Sequence, residues 1–186
     1  MNYSEYVEEN RLALESVDRV ALQQMEIGLL EARMRDSQVF FFGNGGSAAS
    51  ASHAVGDIVK TAKGDRDSGG VRAVSISEMQ ALFTAYSNDT SFEEAGSGVL
   101  HDLGRQGDIL VLISVSGRSP NLLAAAKTAS DMGMEVWSLV GSNGDALVEL
   151  SSVAIKISSQ DYQVVENAHM SLIHYLTKVL QRAPVS

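Results

Sequence analysis

Residues 39–50 read VFFFGNGGSAAS: four bulky apolar side chains, then glycine, asparagine and serine, then small residues suited to a helix. An unbroken apolar run is the pattern of a strand buried on both faces, and such strands belong to parallel sheets sandwiched between helix layers. A strand that runs through a glycine-rich loop into a helix aims free N–H groups and a positive dipole end beyond the sheet, where they favour an anion. The stretch therefore predicts both a fold and a class of ligand.

The same unit recurs along the chain. After VFFF (39–42) come VRAVSI (71–76), ILVLIS (109–114), EVWSLV (135–140) and VAIKIS (153–158). Helical patterning fills 47–62, 78–86, 91–104, 120–132, 144–150 and 161–182. Upstream, Val7, Leu12, Leu14, Val17, Leu22, Met25, Leu29 and Met34 recur at helical spacing over 4–36. Those residues fit one helix of about 30 residues, ~45 Å long, or two shorter ones; a single long helix would pack on another subunit. The expectation is a doubly wound, three-layer α/β/α sandwich around a five-stranded, mainly parallel sheet. It forms one domain over 1–186, with an N-terminal helical segment (1–36) and an α/β core (37–182). Segment 62–70, AKGDRDSGG, reads as the most loop-like and mobile part.

Composition narrows the function. The 186 residues are 45% hydrophobic, enough for one well-buried domain. There is no cysteine, which points to a reducing compartment, and no apolar run approaches the ~20 residues that span a bilayer. The start, MNYSEYVEENRLALES, is acidic and unlike a signal or transit sequence. The expectation is a soluble, cytoplasmic protein without a membrane partner. A net charge of −9 with no basic run argues against nucleic acid. An anion bound by so acidic a chain must be held by local N–H groups and hydroxyls.

A second loop offers such donors. Ser114-Val115-Ser116-Gly117-Arg118-Ser119-Pro120 follows the third apolar run and opens a helix, with Ser119 and Pro120 as an N-cap and N1 pair. Ser114, Ser116 and Ser119 place three hydroxyls on one loop, enough to encircle a phosphate monoester. In an open α/β sheet, ligands bind beyond the carboxyl ends of the strands. Rival motifs fit less well. Residues 43–48 satisfy G-x-G-x-x-A, but Asp65 and Asp67 precede the second strand where a dinucleotide site needs an acid at its end. No Gly-Lys-Ser/Thr is present for a P-loop. Tight strand–helix turns with no ligand are the plain alternative.

Just past the first loop, His53 and Asp57 are four apart on one helix face. That pair suits a divalent metal or acid–base chemistry, and its spacing alone equally suits an ordinary surface pair. Late in the chain, Glu166 and His174 are eight apart, ~12 Å along a helix and roughly 80° around it. Glu166 and His169 form an i, i+3 pair, but His169 reads as structural among Leu172, Ile173 and Leu176. His101 has no evident partner.

The segments FFGNGGSAASASH and ISVSGRSPNLLAAAKTASDMGMEVWSLVG, with Asn88-Asp89 and VVENAHMSLIHYL (164–176), closely resemble sugar isomerase (SIS) domains. Within them, His53 and the 164–176 segment resemble the phosphoheptose isomerases. The resemblance runs from about residue 38 to 180, with similar helical organisation before it. It implies one zinc ion held by His53, Asp57, Glu166 and His174, with Asp57 and His174 as catalytic acid–base groups. It implies phosphate contacts from Ser47, Ser114, Ser116 and Ser119, sugar contacts from Asn44, Gly45, Gly46, Asn88 and Asp89, and further substrate contacts from Asp57, Val115 and Glu166. It also implies a homotetramer with active sites near subunit contacts, which would let Glu166 and His174 serve different sites. The implied reaction converts sedoheptulose 7-phosphate to D-glycero-D-manno-heptose 7-phosphate through an enediol, supplying ADP-heptose or GDP-heptose.

The sequence departs from the best-known phosphoheptose isomerases in three places. Asp57 stands where Glu is usual, Glu166 where Gln is usual, and Val115 where Thr is often found. The acid set gains a negative charge, and the phosphate loop loses a hydroxyl. Some exopolysaccharide-associated relatives are similar at the two acidic positions. Two other readings stand beside the isomerase: a non-catalytic SIS module that binds phosphosugars or a replication initiator, and an isomerase of another phosphorylated ketose. The retained histidines and carboxylates favour an enzyme.

Overall fold

The computed structural model describes residues 1–63 and 70–184. Most of the loop-like stretch 62–70, with Asp65 and Asp67, lies outside the described residues. In chain order the elements are α1 (Tyr3–Glu15), α2 (Arg19–Arg35), β1 (Gln38–Gly43) and α3 (Gly46–Gly56), continued by a π-helical turn (Asp57–Thr61). Then come β2 (Arg72–Ser75), a 3-10 turn (Ile76–Glu78), α4 (Gln80–Asp89), α5 (Ala95–Leu103), β3 (Ile109–Ser114) and α6 (Pro120–Asp131). The chain finishes with β4 (Glu135–Gly141), α7 (Asp145–Val148), β5 (Val153–Ile157) and α8 (Tyr162–Arg182).

The five strands are ordered β2-β1-β3-β4-β5, and every pairing is parallel. The continuous apolar runs feed both faces of this sheet. Val39, Phe41, Val111, Ile113, Trp137 and Leu139 pack on one side with α1, α2, α3 and α8. Phe40, Phe42, Leu110, Leu112, Val136 and Val140 pack on the other with α5, α6 and α7, and α4 adds partly buried side chains. The result is the expected doubly wound sandwich. None of the described helices is long and apolar enough to cross a membrane.

The N-terminal segment is two helices. Asp18 caps α2, its carboxylate accepting from the N–H of Val20 at 2.8 Å and of Ala21 at 3.3 Å. Ser16 ends α1 and its hydroxyl accepts from the N–H of Ser158 at 3.0 Å, tying the break to the end of β5. Two other boundaries move from expectation. The segment expected as helical from 78 starts with the 3-10 turn, and the one expected from 91 begins at Ala95 after a turn.

Order β2-β1-β3 sets the site. α3 leaves β1 toward one face and α6 leaves β3 toward the other, so a crevice opens between the carboxyl ends of β1 and β3. The two glycine–serine loops are the two that follow these strands.

Candidate functional site

Both loops line one cleft of about 350 Å³. Asn44, Gly45, Gly46 and Ser47 come from the first loop, Ser114, Val115, Ser116 and Ser119 from the second, and Tyr162 and Glu166 from α8. The loops are joined across the crevice by a reciprocal amide pair, Asn44 Nδ2 to Asn121 Oδ1 and Asn121 Nδ2 to Asn44 Oδ1, each 2.9 Å. Asn121 is buried, so Asn44 is held in place before any ligand arrives.

In the second loop the backbone donates into the hydroxyls. Gly117 N–H reaches Ser114 Oγ at 3.0 Å, and Arg118 N–H reaches Ser116 Oγ at 3.4 Å. Their own O–H groups are thereby left to donate outward. Ser119 sits at the N-cap position of α6 with Pro120 at N1, yet its hydroxyl makes no capping bond and is also free. Gly117 has φ +60°, a left-handed conformation that a side chain disfavours. It lets the loop lie on the backbone of Gly144.

Glu166 stands across the first loop. A methyl group at Gly46 would meet the Glu166 Cδ at 2.9 Å and Oε2 at 3.0 Å. Gly46 is the first residue of α3, so this carboxylate rests at the positive end of that helix. The second loop and α6 are therefore the better seat for a phosphate.

Further along α3, three donors converge. His53 Nε2 is 3.4 Å from Asp57 Oδ2, His174 Nε2 is 3.6 Å from the same oxygen, and the two Nε2 atoms are 3.2 Å apart. A tetrahedral zinc with N and O ligands ~2.0–2.1 Å away has ligand–ligand edges of about 3.3–3.4 Å. The observed triangle fits that size and leaves a fourth position open. Two imidazoles and one carboxylate are also a suitable donor set for zinc. Both histidines are about half exposed while Asp57 is 17% exposed, so the opening faces outward.

All three donors come from one chain. Glu166 is not within the 4.8 Å group they form. Since Glu166 lies opposite Gly46 and His174 opposite His53 and Asp57, α8 and α3 run side by side in the same direction. The serine cleft and the triad therefore lie along the same pair of helices.

Asn88 and Asp89 lie at the exposed end of α4, bonded to each other (Asn88 Nδ2 to Asp89 Oδ1, 3.0 Å), and do not line the cleft of their own chain. His101 is exposed on α5. His169 is fully buried in α8, and neither ring nitrogen has a hydrogen-bond partner among the described residues. Burial, opposed only in part by the Val140 backbone, pushes its imidazole down to about 4.

Four features had no clear sequence signal. Arg118 and Asn121 stand in and just after the second loop and Tyr162 opens α8, but their residue types alone assign them no role. Arg118 Nε donates to the Asn143 carbonyl at 3.3 Å, at the edge of an adjoining cavity of about 170 Å³. The fourth is the change to π-helical bonding at Asp57, where Ala62 N–H donates to the Asp57 carbonyl at 2.7 Å. Such turns recur at functional sites, and 47–62 carries no breaker to announce one.

The SIS domain family model matches residues 2–141. A phosphoheptose isomerase of Helicobacter pylori is 33% identical over 170 residues, covering 91% of this chain and 87% of its own length. One from Pelobacter propionicus is 30% identical over 162 residues, covering 87% and 85%. Among solved structures, phosphoheptose isomerase GmhA from Neisseria gonorrhoeae superposes with a TM-score of 0.87 at 26% identity, over 97% of this chain and 96% of that one.

Proposed function

The chain belongs to the SIS domain family and, within it, to the phosphoheptose isomerases, and from that premise we propose that it converts sedoheptulose 7-phosphate to D-glycero-D-manno-heptose 7-phosphate. The observation that carries this reading is the placement of a hydroxyl-lined cleft and of His53, Asp57 and His174 along the same pair of parallel helices. A phosphorylated sugar has a dianion at one end and a carbonyl at the other, and the cleft and the triad offer suitable partners for the two.

Ser114, Ser116 and Ser119, with the α6 N-terminus, hold the phosphate; Ser47 closes the cleft beside them. Asn44, Gly45 and Gly46 line the sugar chain, with Val115 an apolar wall. A zinc ion held by His53, Asp57 and His174 would supply a Lewis acid for the carbonyl oxygen. Asp57 and His174 face the oxygens whose protons must be exchanged as the carbonyl moves from C2 to C1.

The homotetramer is part of the proposal. On α2, Val20, Ile27 and Met34 recur every seven residues and are 66%, 50% and 65% exposed, an apolar stripe suited to a second copy. Asn88 and Asp89, turned away from their own cleft, would then close a neighbour's.

Zinc-loaded protein incubated with sedoheptulose 7-phosphate is expected to form the aldose. Asp57→Asn and His174→Gln should each lose zinc, and lose turnover by ~10²-fold or more. Wild-type turnover in both variants refutes the assigned roles. No turnover with intact phosphosugar binding would instead make the chain a binding module.

A further inference from the structure

Beside the substrate cleft lies the cavity of about 170 Å³ at whose edge Arg118 stands. The two share Val115, Ser116 and Tyr162, but Arg118, Ser142, Asn143, Ser159 and Gln160 line only the second. Those five residues follow β3, β4 and β5, so this cavity too sits beyond the carboxyl ends of the strands, where ligands bind in such a sheet.

Its lining suits an anion. Arg118 is the one cation there among the described residues and no carboxylate joins it, in a chain whose net charge is −9. The guanidinium is tethered by its Nε, which donates to the Asn143 carbonyl at 3.3 Å, while neither Nη has a described partner. A held guanidinium with free N–H groups can take two phosphoryl oxygens at once. The hydroxyls add donors. Ser159 Oγ accepts from the Asp161 N–H at 3.2 Å, so its own O–H is left to donate, as is that of Ser116. Ser142 Oγ donates to the Ser159 carbonyl at 2.9 Å and joins the turns after β4 and β5. The Asn143 and Gln160 amides and the Tyr162 hydroxyl have no hydrogen-bond partner among the described residues.

We propose that this cavity is a second phosphoryl subsite, and that together with the serine loop it binds a diphosphate group, one phosphoryl on each side of Ser116. The inference rests on the phosphate seat of the isomerase reading above and adds a ligand class to it. A diphosphate carries more negative charge than a monophosphate ester, and Arg118 supplies the countercharge that the acidic chain otherwise lacks here. A diphosphate so placed occupies the seat of the sugar phosphate, so compounds carrying one inhibit the isomerase competitively.

The test titrates the zinc-loaded protein, without free divalent ions, with inorganic phosphate, pyrophosphate and adenosine diphosphate by calorimetry. It is repeated on Arg118→Gln and on Asn143→Asp, which puts a carboxylate into the cavity. In the wild type, pyrophosphate is expected to bind ~10–100-fold more tightly than phosphate, as one added charge-assisted contact gives. It should also inhibit turnover of sedoheptulose 7-phosphate competitively. Each substitution should cut the preference to about threefold or less, Arg118→Gln weakening phosphate as well but pyrophosphate more. Binding of pyrophosphate without adenosine diphosphate assigns the subsite to the free anion, and binding of both extends it to diphosphate esters. Equal wild-type affinities for pyrophosphate and phosphate overturn the proposal. A preference that survives both substitutions also overturns it, since zinc would then be holding the diphosphate. Failure of phosphate and the sugar phosphate to bind at all overturns the phosphate seat, and with it the isomerase reading itself.

Discussion

Gly117→Ala should weaken both the fold and the grip on phosphate, by an amount that a second glycine lets one divide. At φ +60° an alanine pays for a left-handed backbone, about 1–2 kcal/mol. Its methyl group would also lie 2.7 Å from the Gly144 carbonyl oxygen and 2.9 Å from its carbon. These are backbone atoms without a rotamer to yield, so the second loop must separate from the β4–α7 turn, adding about 1–3 kcal/mol. The total expected is ~2–5 kcal/mol. Gly107 has φ +86° with nothing within 4 Å of an added methyl, so Gly107→Ala should show the backbone cost alone. Urea unfolding of both variants measures the two costs, and calorimetric titration with a phosphosugar measures the loop. Moving the loop disturbs the Gly117 N–H to Ser114 Oγ bond at 3.0 Å. A single hydrogen bond lost to the phosphate is worth about 1.5–3 kcal/mol, so affinity should fall roughly tenfold or more. Equal destabilisation by the two substitutions, with phosphosugar affinity untouched in Gly117→Ala, would refute the loop packing described here.

Two further predictions concern buried and exposed cations. His169 titrates near 6.5 when unfolded but at about 4 in the fold, so between these values the unfolded chain binds the extra proton. Its contribution is whole above pH 6.5 and fades as pH falls through the window to 4. At 1.36 kcal/mol per pH unit the loss reaches about 3 kcal/mol. Unfolding of His169→Leu measured across that range should show a shallower acid slope, and an identical slope would remove His169 from the account. Arg118 has no carboxylate within ion-pair distance among the described residues and stands beside the phosphate loop. Arg118→Gln should weaken inorganic phosphate binding by roughly tenfold and flatten its salt dependence, while changing stability by less than about 0.5 kcal/mol. Unchanged phosphate affinity in titration calorimetry would place the guanidinium outside the anion's reach.

Much of the fold was legible because its causes are local. Phe40 and Phe41 are adjacent in sequence and enter opposite core layers, as an apolar run in a doubly covered strand must. Both glycine–serine loops could be read for the same reason: a strand end, a helix start and free hydroxyls are all written within a few residues. The break between α1 and α2 was harder, since helical spacing runs through it. Capping by Asp18 and a bond from Ser158, 142 residues away, settled it.

The sequence by itself determined the sheet's strands, the two loops, the acidic surface and the residue types from which a metal site could be made. The assembly of the site belonged to the tertiary structure. His53 and His174 are 121 residues apart and meet only because α3 and α8 pack in parallel on one face of the sheet. The same packing sends Glu166 to Gly46 and away from the triad, although the family resemblance placed it with His174 as another ligand. Backbone periodicity constrains which side chains share a helix face. Which face meets which neighbour is decided by burial of the whole apolar surface, a property no short stretch of the chain contains.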